Sequence, residues 1–231
     1  MAQAGIMPLH GNLPPIVTVN LVIFSLCENQ LQVLLTPSEP DTRYETWTLP
    51  GSCWESGLTF EEISLKILSR HTQLHEAYLE QLYTYGSPDR DPQQSLVSVV
   101  YFVLVPAQDL NTKQCLLVRN AKWFPVDHSP SLIKNHLEII TYALRRLRYK
   151  LEYTAIGFEL LPSEFTLSAR QHTYEMVLGE CLDKRNFRRR ILEAEIIEAT
   201  PNMRAGEGRP ARLYRYRPDA VAEVKARRLF P

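Results

Sequence analysis

The chain has 231 residues, with 26 Lys+Arg against 26 Asp+Glu, 45% hydrophobic and 23% charged, the make-up of a globular protein with room for one or two cores. No apolar run approaches the roughly 20 residues of a membrane-spanning helix: Ile16 to Cys27 is interrupted by Asn20, and Leu96 to Val105 is too short. The neutral total hides an asymmetry, because residues 1–150 hold 12 basic and 14 acidic residues whereas Lys184 to Arg228 hold 13 and 6, a net +7 over 45 residues; a local basic surface on a neutral whole suggests one module facing a polyanion.

The first basic residue is Arg43, so the N-terminus lacks the charged start of a secretory signal or the Arg-rich face of a transit peptide, and the expected location is the cytoplasm. Residues 1–15, with Gly5, Pro8, Gly11, Pro14 and Pro15, are expected to form a flexible arm. Ile16 to Leu26 is rich in β-branched residues and is followed by Glu28-Asn29-Gln30 and Leu31 to Leu35, which predicts a strand hairpin. A brief strand, Trp47-Thr48-Leu49, precedes the turn Pro50-Gly51. Thr59 with Glu62 three residues on forms a capping box, and Ile63 and Ile67 sit one turn apart, so a helix is expected from Phe60 to Thr72. Apolar runs follow at Tyr78 to Tyr85, Leu96 to Val105, Gln114 to Val118 and Lys122 to Val126, giving an α+β core with a mixed sheet. Cys27, Cys53, Cys115 and Cys181 have no Cys or His partner at metal-ligand spacing and are taken as small core residues; no metal site and no disulfide framework is expected.

Ile133, Leu137, Ile140, Leu144, Leu147 and Leu151 repeat at spacings of four and three along a helix of about 18 residues, a stripe suited to a core face or a dimer seam. After Lys150 the pattern changes. Helices at Leu167 to Leu178 and from Lys184 to Glu195 are separated by Gly179, and Ile196 to Thr200 and Ala211 to Tyr216 flank a loop holding Gly206, Gly208 and Pro210. Helix, turn, helix and hairpin is the order of a winged helix-turn-helix. The expected division is therefore an arm (1–15), a first domain ending in a linker helix (16–150) and a winged helix (151–231).

In the second helix of that module Asp183 is a suitable N-cap, and Phe187, Ile191 and Ala194 share one face. Lys184, Arg185, Asn186, Arg188 and Arg189 are then presented outward at the end that enters a major groove, while Arg209 and Arg212 flank Pro210 in the hairpin. Arg reads guanine edges, Asn can read adenine and Lys neutralises phosphate. The alternative is that several of these arginines only pair with Glu193, Glu195 and Glu207.

The stretch Leu49-Pro50-Gly51-Ser52-Cys53-Trp54-Glu55-Ser56-Gly57-Leu58-Thr59-Phe60-Glu61-Glu62 resembles the loop that enters the helix of the Nudix fold. On the family box G-x5-E-x7-R-E-U-x-E-E-x-G-U, the first Gly becomes Ser52, the first Glu Leu58, the Arg Lys66, the next Glu Ile67, the two metal-binding glutamates Arg70 and His71, and the last Gly Gln73. The resemblance implies a Nudix-like mixed-sheet α/β/α sandwich without its chemistry, since Mg²⁺ needs hard oxygen ligands and Arg70 repels a cation. No catalytic residue is expected and the chain is not expected to be an enzyme. Arg70 or His71, the latter only below about pH 6.5 unless a phosphate raises its pKa, would instead supply positive charge to hold a diphosphate directly; the alternative is a surface Arg and His on an idle helix.

The two halves together resemble the Nudix-related transcriptional regulators known as NrtR. The resemblance rests on Tyr78 to Pro92 (YLEQLYTYGSPDRDP), Trp123 to Val126 (WFPV), Leu182 to Arg189 (LDKRNFRR) and Gly208 to Tyr214 (GRPARLY). It implies a homodimer on a palindromic double-stranded DNA operator near genes of NAD synthesis or salvage, most simply as a repressor, and an ADP-ribose-like effector but no cofactor. It also moves the Ile133 to Leu151 stripe toward an interdomain or dimer helix that carries the effector signal. Ligand candidates are Trp54 or Tyr85, with Trp47 as a third aromatic, for stacking on adenine, and Arg90 for phosphate, beside Arg70 and His71. Asn135-His136 departs from the Asp-His that relatives often carry. Two other readings remain: a hydrolase of nucleoside diphosphate derivatives that also binds DNA, and a regulator of the same architecture sensing another sugar or nucleotide.

Overall fold

The computed structural model describes residues 14–38, 46–87, 95–110, 121–133, 135–153, 156–205 and 210–220. The expected run at Gln114 to Val118, Cys115 and the candidates Arg90 and Arg209 lie outside the described residues.

Strands β1 (Ile16–Cys27) and β2 (Gln30–Pro37) form the expected hairpin. Its turn holds Glu28 at φ 53° and Asn29 at φ 58°, the two positive φ values of a type I′ turn, whose twist matches that of the flanking strands. The sheet is completed by β3 (Trp47–Thr48), β4 (Gly51–Cys53), β5 (Tyr78–Ser87), β6 (Leu96–Val105) and β7 (Lys122–Pro125). Its order is β3-β2-β1-β6-β5, with β4 also on β1 and β7 on β2. Strand β1 runs parallel to β6 from Ile16 opposite Leu96 to Ser25 opposite Val105, and the other pairs are antiparallel.

Alternation along the central strands feeds two cores. Val19, Leu21, Ile23, Val99, Tyr101 and Val103 pack with Ile63, Ile67 and Leu68 of helix α1 (Phe60–Thr72). Val22, Phe24, Val33, Val100, Phe102 and Leu104 belong to the opposite core, with Ile140, Ala143, Leu144, Leu147 and Leu151 of helix α2 (His136–Tyr153). Helix α1 starts as expected: the Thr59 hydroxyl accepts from the Glu62 N–H at 3.1 Å and Glu62 accepts from the Thr59 N–H at 2.8 Å. Helix α2 is pinned at its start, where the Leu49 N–H donates to Nδ1 of buried His136 at 3.0 Å.

The second core does not stop at the end of α2. It continues through a 3-10 turn (Ile156–Leu160) into α3 (Leu167–Leu178), α4 (Lys184–Glu193), β8 (Ile197–Arg204) and β9 (Ala211–Tyr216). Gly179, at φ 77°, ends α3 in the left-handed conformation that glycine tolerates. Phe165 exchanges backbone hydrogen bonds with Tyr214 at 2.9 and 2.8 Å, adding a short third strand to the hairpin. Arg170 is fully buried here, its guanidinium 3.6 Å from the Phe158 ring centroid and 4.4 Å from that of Tyr174; burial lowers its pKa to about 10, so it stays cationic at neutral pH. Gly157 makes room for it, since a Cβ there would stand 2.9 Å from Arg170 Nη1 and 2.5 Å from Leu151 Cδ2.

The apolar stripe is a core face, one of the two readings its spacing allowed: Ile140, Leu144, Leu147 and Leu151 are buried, whereas Leu137 is 56% exposed and Ile133 precedes the helix. That core includes residues of α3 and α4, and α3 also packs on β2 and the 3-10 turn on β6. One expectation needs correction. Cys53 and Cys181 are exposed free thiols, and of the described cysteines Cys27 alone is buried. No helix among the described residues is long and apolar enough to cross a membrane.

Candidate functional site

The basic end of α4 is held by the fold on its other side. Asp183 caps the helix by accepting from the Asn186 N–H at 2.7 Å, and Phe187 and Ile191 are buried, with Phe187 edge-on to Tyr174 at 5.6 Å. Lys184 and Arg185 are exposed at the helix start, where a groove would be entered. The other three candidates are engaged. Asn186 is half-buried and its Oδ1 accepts from Arg189 at 2.9 Å and from Arg190 at 3.3 Å. Arg189 also pairs with Glu193 at 3.1 Å, as the alternative reading allowed. Arg188 donates to Ser168 at the start of α3 at 3.1 Å, which leaves it half-buried between the two helices.

Arg212 is exposed on β9. The register sets Met203 opposite Arg212 and Arg204 opposite Ala211, so exposed Arg204 joins Arg212 at the same end of the hairpin. Sequence reasoning passed over Arg204 because it lies outside the glycine-bounded loop, and the cross-strand register is the signal that finds it. Arg215 and Arg217 are tied to Glu198 and Asp219 at 2.5 and 2.7 Å.

On the Nudix-like helix the positions of the family glutamates have different fates. Ile67 is 1% exposed in the core. Arg70 is exposed and lines an open groove of about 620 Å³ with Leu58, Glu62, Leu65, Lys66, Ser69 and His75. His71 is half-buried with Nδ1 enclosed and without a partner among the described residues. Burial, then the charge of Arg70, pushes the His71 pKa below its ordinary value, so without a bound anion the ring is neutral at neutral pH, as the expectation allowed, and Arg70 is the cation of the pair. The two carboxylates that remain have other work. Glu62 closes the capping box, and Glu61 accepts from the Tyr101 hydroxyl at 2.7 Å, which lowers its pKa. An apolar side chain, a guanidinium and a neutral enclosed imidazole do not fit the hard cation of the Nudix reaction, and no group of three or more His, Cys, Asp or Glu suited to a metal gathers among the described residues.

The structure does not bring the ligand candidates together. Trp54 is 46% exposed, donates from Nε1 to the Leu58 carbonyl at 3.0 Å and lies 6.4 Å from the Phe60 ring, on the side of α1. Tyr85 packs against the other core, on the side of α2, 5.2 Å from Tyr83. Tyr85 thus packs on the opposite face of the sheet from the core that holds α1, the helix of Arg70 and His71. Trp47 is a buried core residue, edge-on to Phe124 at 4.8 Å.

Residues 157–216 match the family model of the NrtR DNA-binding winged helix domain. The chain is 32% identical over 206 residues, 87% of its length and 82% of the relative's, to the ADPR responsive transcriptional repressor NtrR of Acinetobacter baylyi. It is also 29% identical over 133 residues, 58% of its length and 75% of the relative's, to an ADP-ribose pyrophosphatase of Methanocaldococcus jannaschii. Among solved structures, Shewanella oneidensis NrtR in complex with a 27mer DNA superposes with a TM-score of 0.77 at 32% identity, covering 92% of this chain and 96% of that one. The mixed sheet with its helices is Nudix-like, and a winged helix follows it.

Proposed function

The chain belongs to the NrtR family of Nudix-related regulators, and from that premise we propose that it is a transcriptional repressor whose grip on a palindromic operator is set by ADP-ribose. The observation that carries this reading is the pairing of an exposed Lys184-Arg185 helix start with a Nudix-like helix whose family glutamate positions hold Ile67, Arg70 and His71. Its target genes would be those of NAD synthesis or salvage, and it would act in the cytoplasm as a homodimer without a cofactor. Lys184, Arg185, Arg204 and Arg212 would make the free basic contacts to DNA, and Asn186, Arg188 and Arg189 would have to release protein partners to join them. On the sensor, Arg70 and Lys66 would favour an anionic ligand on the α1 side. The chain would not hydrolyse ADP-ribose, because its residues hold no Mg²⁺ in the way the reaction needs.

Fluorescence anisotropy of a labelled palindromic duplex tests the reading. Saturable binding that shifts with added ADP-ribose is the expected result, and binding indifferent to ADP-ribose, NAD and related nucleotides would overturn it. The pyrophosphatase relative keeps hydrolysis as a second reading, and Mg²⁺-dependent release of AMP from ADP-ribose, lost on changing Glu61 or Glu62, would support it.

A further inference from the structure

The hairpin of the winged helix carries a large apolar side chain among its free cations. Met203, near the end of β8, is 52% exposed, with exposed Arg204 next to it in the chain and exposed Arg212 opposite it on β9. It reaches that place through a bulge. Ile197, Glu198 and Ala199 pair with Tyr216, Arg215 and Tyr214 in one register. Three residues of β8, Thr200, Pro201 and Asn202, then face the single Leu213 of β9 before pairing resumes at Met203 and Arg212. Had the first register continued, Pro201 would stand opposite Arg212; the two extra residues put Met203 there instead, the re-aiming of a side chain that bulges bring about.

The bulge is fastened by side chains. The Thr200 hydroxyl donates to the Leu213 carbonyl at 3.4 Å and accepts from the Asn202 N–H at 3.4 Å. The Asn202 amide donates to both carboxylate oxygens of Glu164, at 3.1 and 3.0 Å, beside the bridge from Phe165 to Tyr214. Side chains alternate along β9, so Arg212 shares a face with Tyr214 and Tyr216, which pack against the core that contains Phe187 and Ile191 of α4. A cross-strand pair lies on one face, so Met203 and Arg212 are exposed on the side of the hairpin that carries α4. Guanidinium groups suit phosphates. The thioether between them does not, whereas an unbranched, polarisable apolar side chain fits the space between stacked bases.

We propose that Met203 is a wedge: Arg204 and Arg212 hold the DNA backbone while Met203 enters the minor groove flanking the half-site read by α4, parts a base step and bends the operator there. The inference rests on the proposed operator binding and deepens it. Parting a step costs least at the flexible pyrimidine–purine steps TA and CA, so the protein selects such a step where it makes no hydrogen bond to a base edge.

Two fluorescence readouts on the full chain test this. The probe is a palindromic duplex selected by the parent from a randomised pool. It carries an energy-transfer pair at its ends or, in separate preparations, fluorescent aminopurine at successive adenines beside the half-sites. Binding of the parent should bring the ends together and brighten aminopurine at one step in each half, and replacing that step by AA should lower affinity about tenfold. Met203→Ala should bind with the parent's circular dichroism and salt dependence, because no phosphate contact is lost, but without the bend, the brightening or the step preference. Met203→Leu should keep all three. Binding by the parent without bending or brightening, or a Met203→Ala protein that bends the duplex like the parent, would overturn the inference and leave the operator reading standing. So would a flattened salt dependence in Met203→Ala, which would make Met203 a support for the neighbouring arginines. A parent that selects no duplex would overturn the proposed function and the wedge with it.

Discussion

Helices α1 and α4 are alike on paper. Each opens with a side-chain cap, carries buried apolar residues one turn apart, and has arginine where a ligand would approach. They differ in where the chemistry sits. In α4 the basic residues cluster at the free end, and the winged helix holds only the opposite face, so Lys184 and Arg185 stay in solvent. In α1 the positions of the family's glutamates straddle the boundary with the core: Ile67 is inside, His71 half inside and Arg70 out. A helix remains a reader by keeping its functional stripe clear of its packing stripe, whereas α1 has given part of its functional stripe to packing.

The sharpest way to break this contrast is to return a glutamate to α1. Ile67→Glu would place a carboxylate in a closed apolar core and should cost about 3–5 kcal/mol of stability in urea denaturation, the scale of an uncompensated buried charge. A variant that stayed as stable as the parent and gained Mg²⁺-dependent hydrolysis would mean that α1 keeps a catalytic face. On α4 the next largest effect is expected in binding rather than folding. Arg185→Ala should weaken operator affinity by about 1–3 kcal/mol, with unchanged circular dichroism, and relax base preference if the residue reads a guanine. Arg212→Ala, on the hairpin, should weaken all sequences alike and flatten the salt dependence, since a phosphate contact releases a counterion.

A smaller effect tests the ion pair that restrains Arg189. Glu193→Gln frees the guanidinium and removes a negative charge from the reading face, so DNA affinity should rise by about 0.2–1 kcal/mol in the same anisotropy titration; weaker binding would show that the pair orients Arg189 for DNA. The smallest effect concerns His71. Its folded pKa lies below the ordinary 6.5, so the stability contributed by the neutral ring is present above about pH 6.5 and is lost as pH falls through the lowered folded value. The parent's unfolding midpoint should therefore drop more between pH 7 and pH 5 than that of His71→Gln, and equal drops would remove His71 from the pH response.

What could be read from the chain by itself was local. Thr59 and Glu62 announce a helix start because a capping box satisfies two orphan amides within four residues. The β-branched runs, Asp183, Gly179 and the order of helices and hairpin act over similarly short spans, which is why an α+β half and a winged-helix half were legible in the sequence, the Nudix likeness resting instead on the resemblance of Leu49 to Glu62 to that family's loop. Tertiary structure decided how those elements face one another. The pleat of the sheet sent Tyr85 to the α2 side, opposite the core that holds α1, and no motif records that separation. Packing also chose the buried side of α2, deciding between core and seam for its apolar stripe and leaving Tyr142 half-buried and Arg145 exposed. Arg188 reached Ser168, 20 residues back along the chain, only because α3 and α4 meet there. Sequence spacing sets periodicity along an element, but the partner that covers each face is chosen by contacts between distant residues, and the sites depend on those faces.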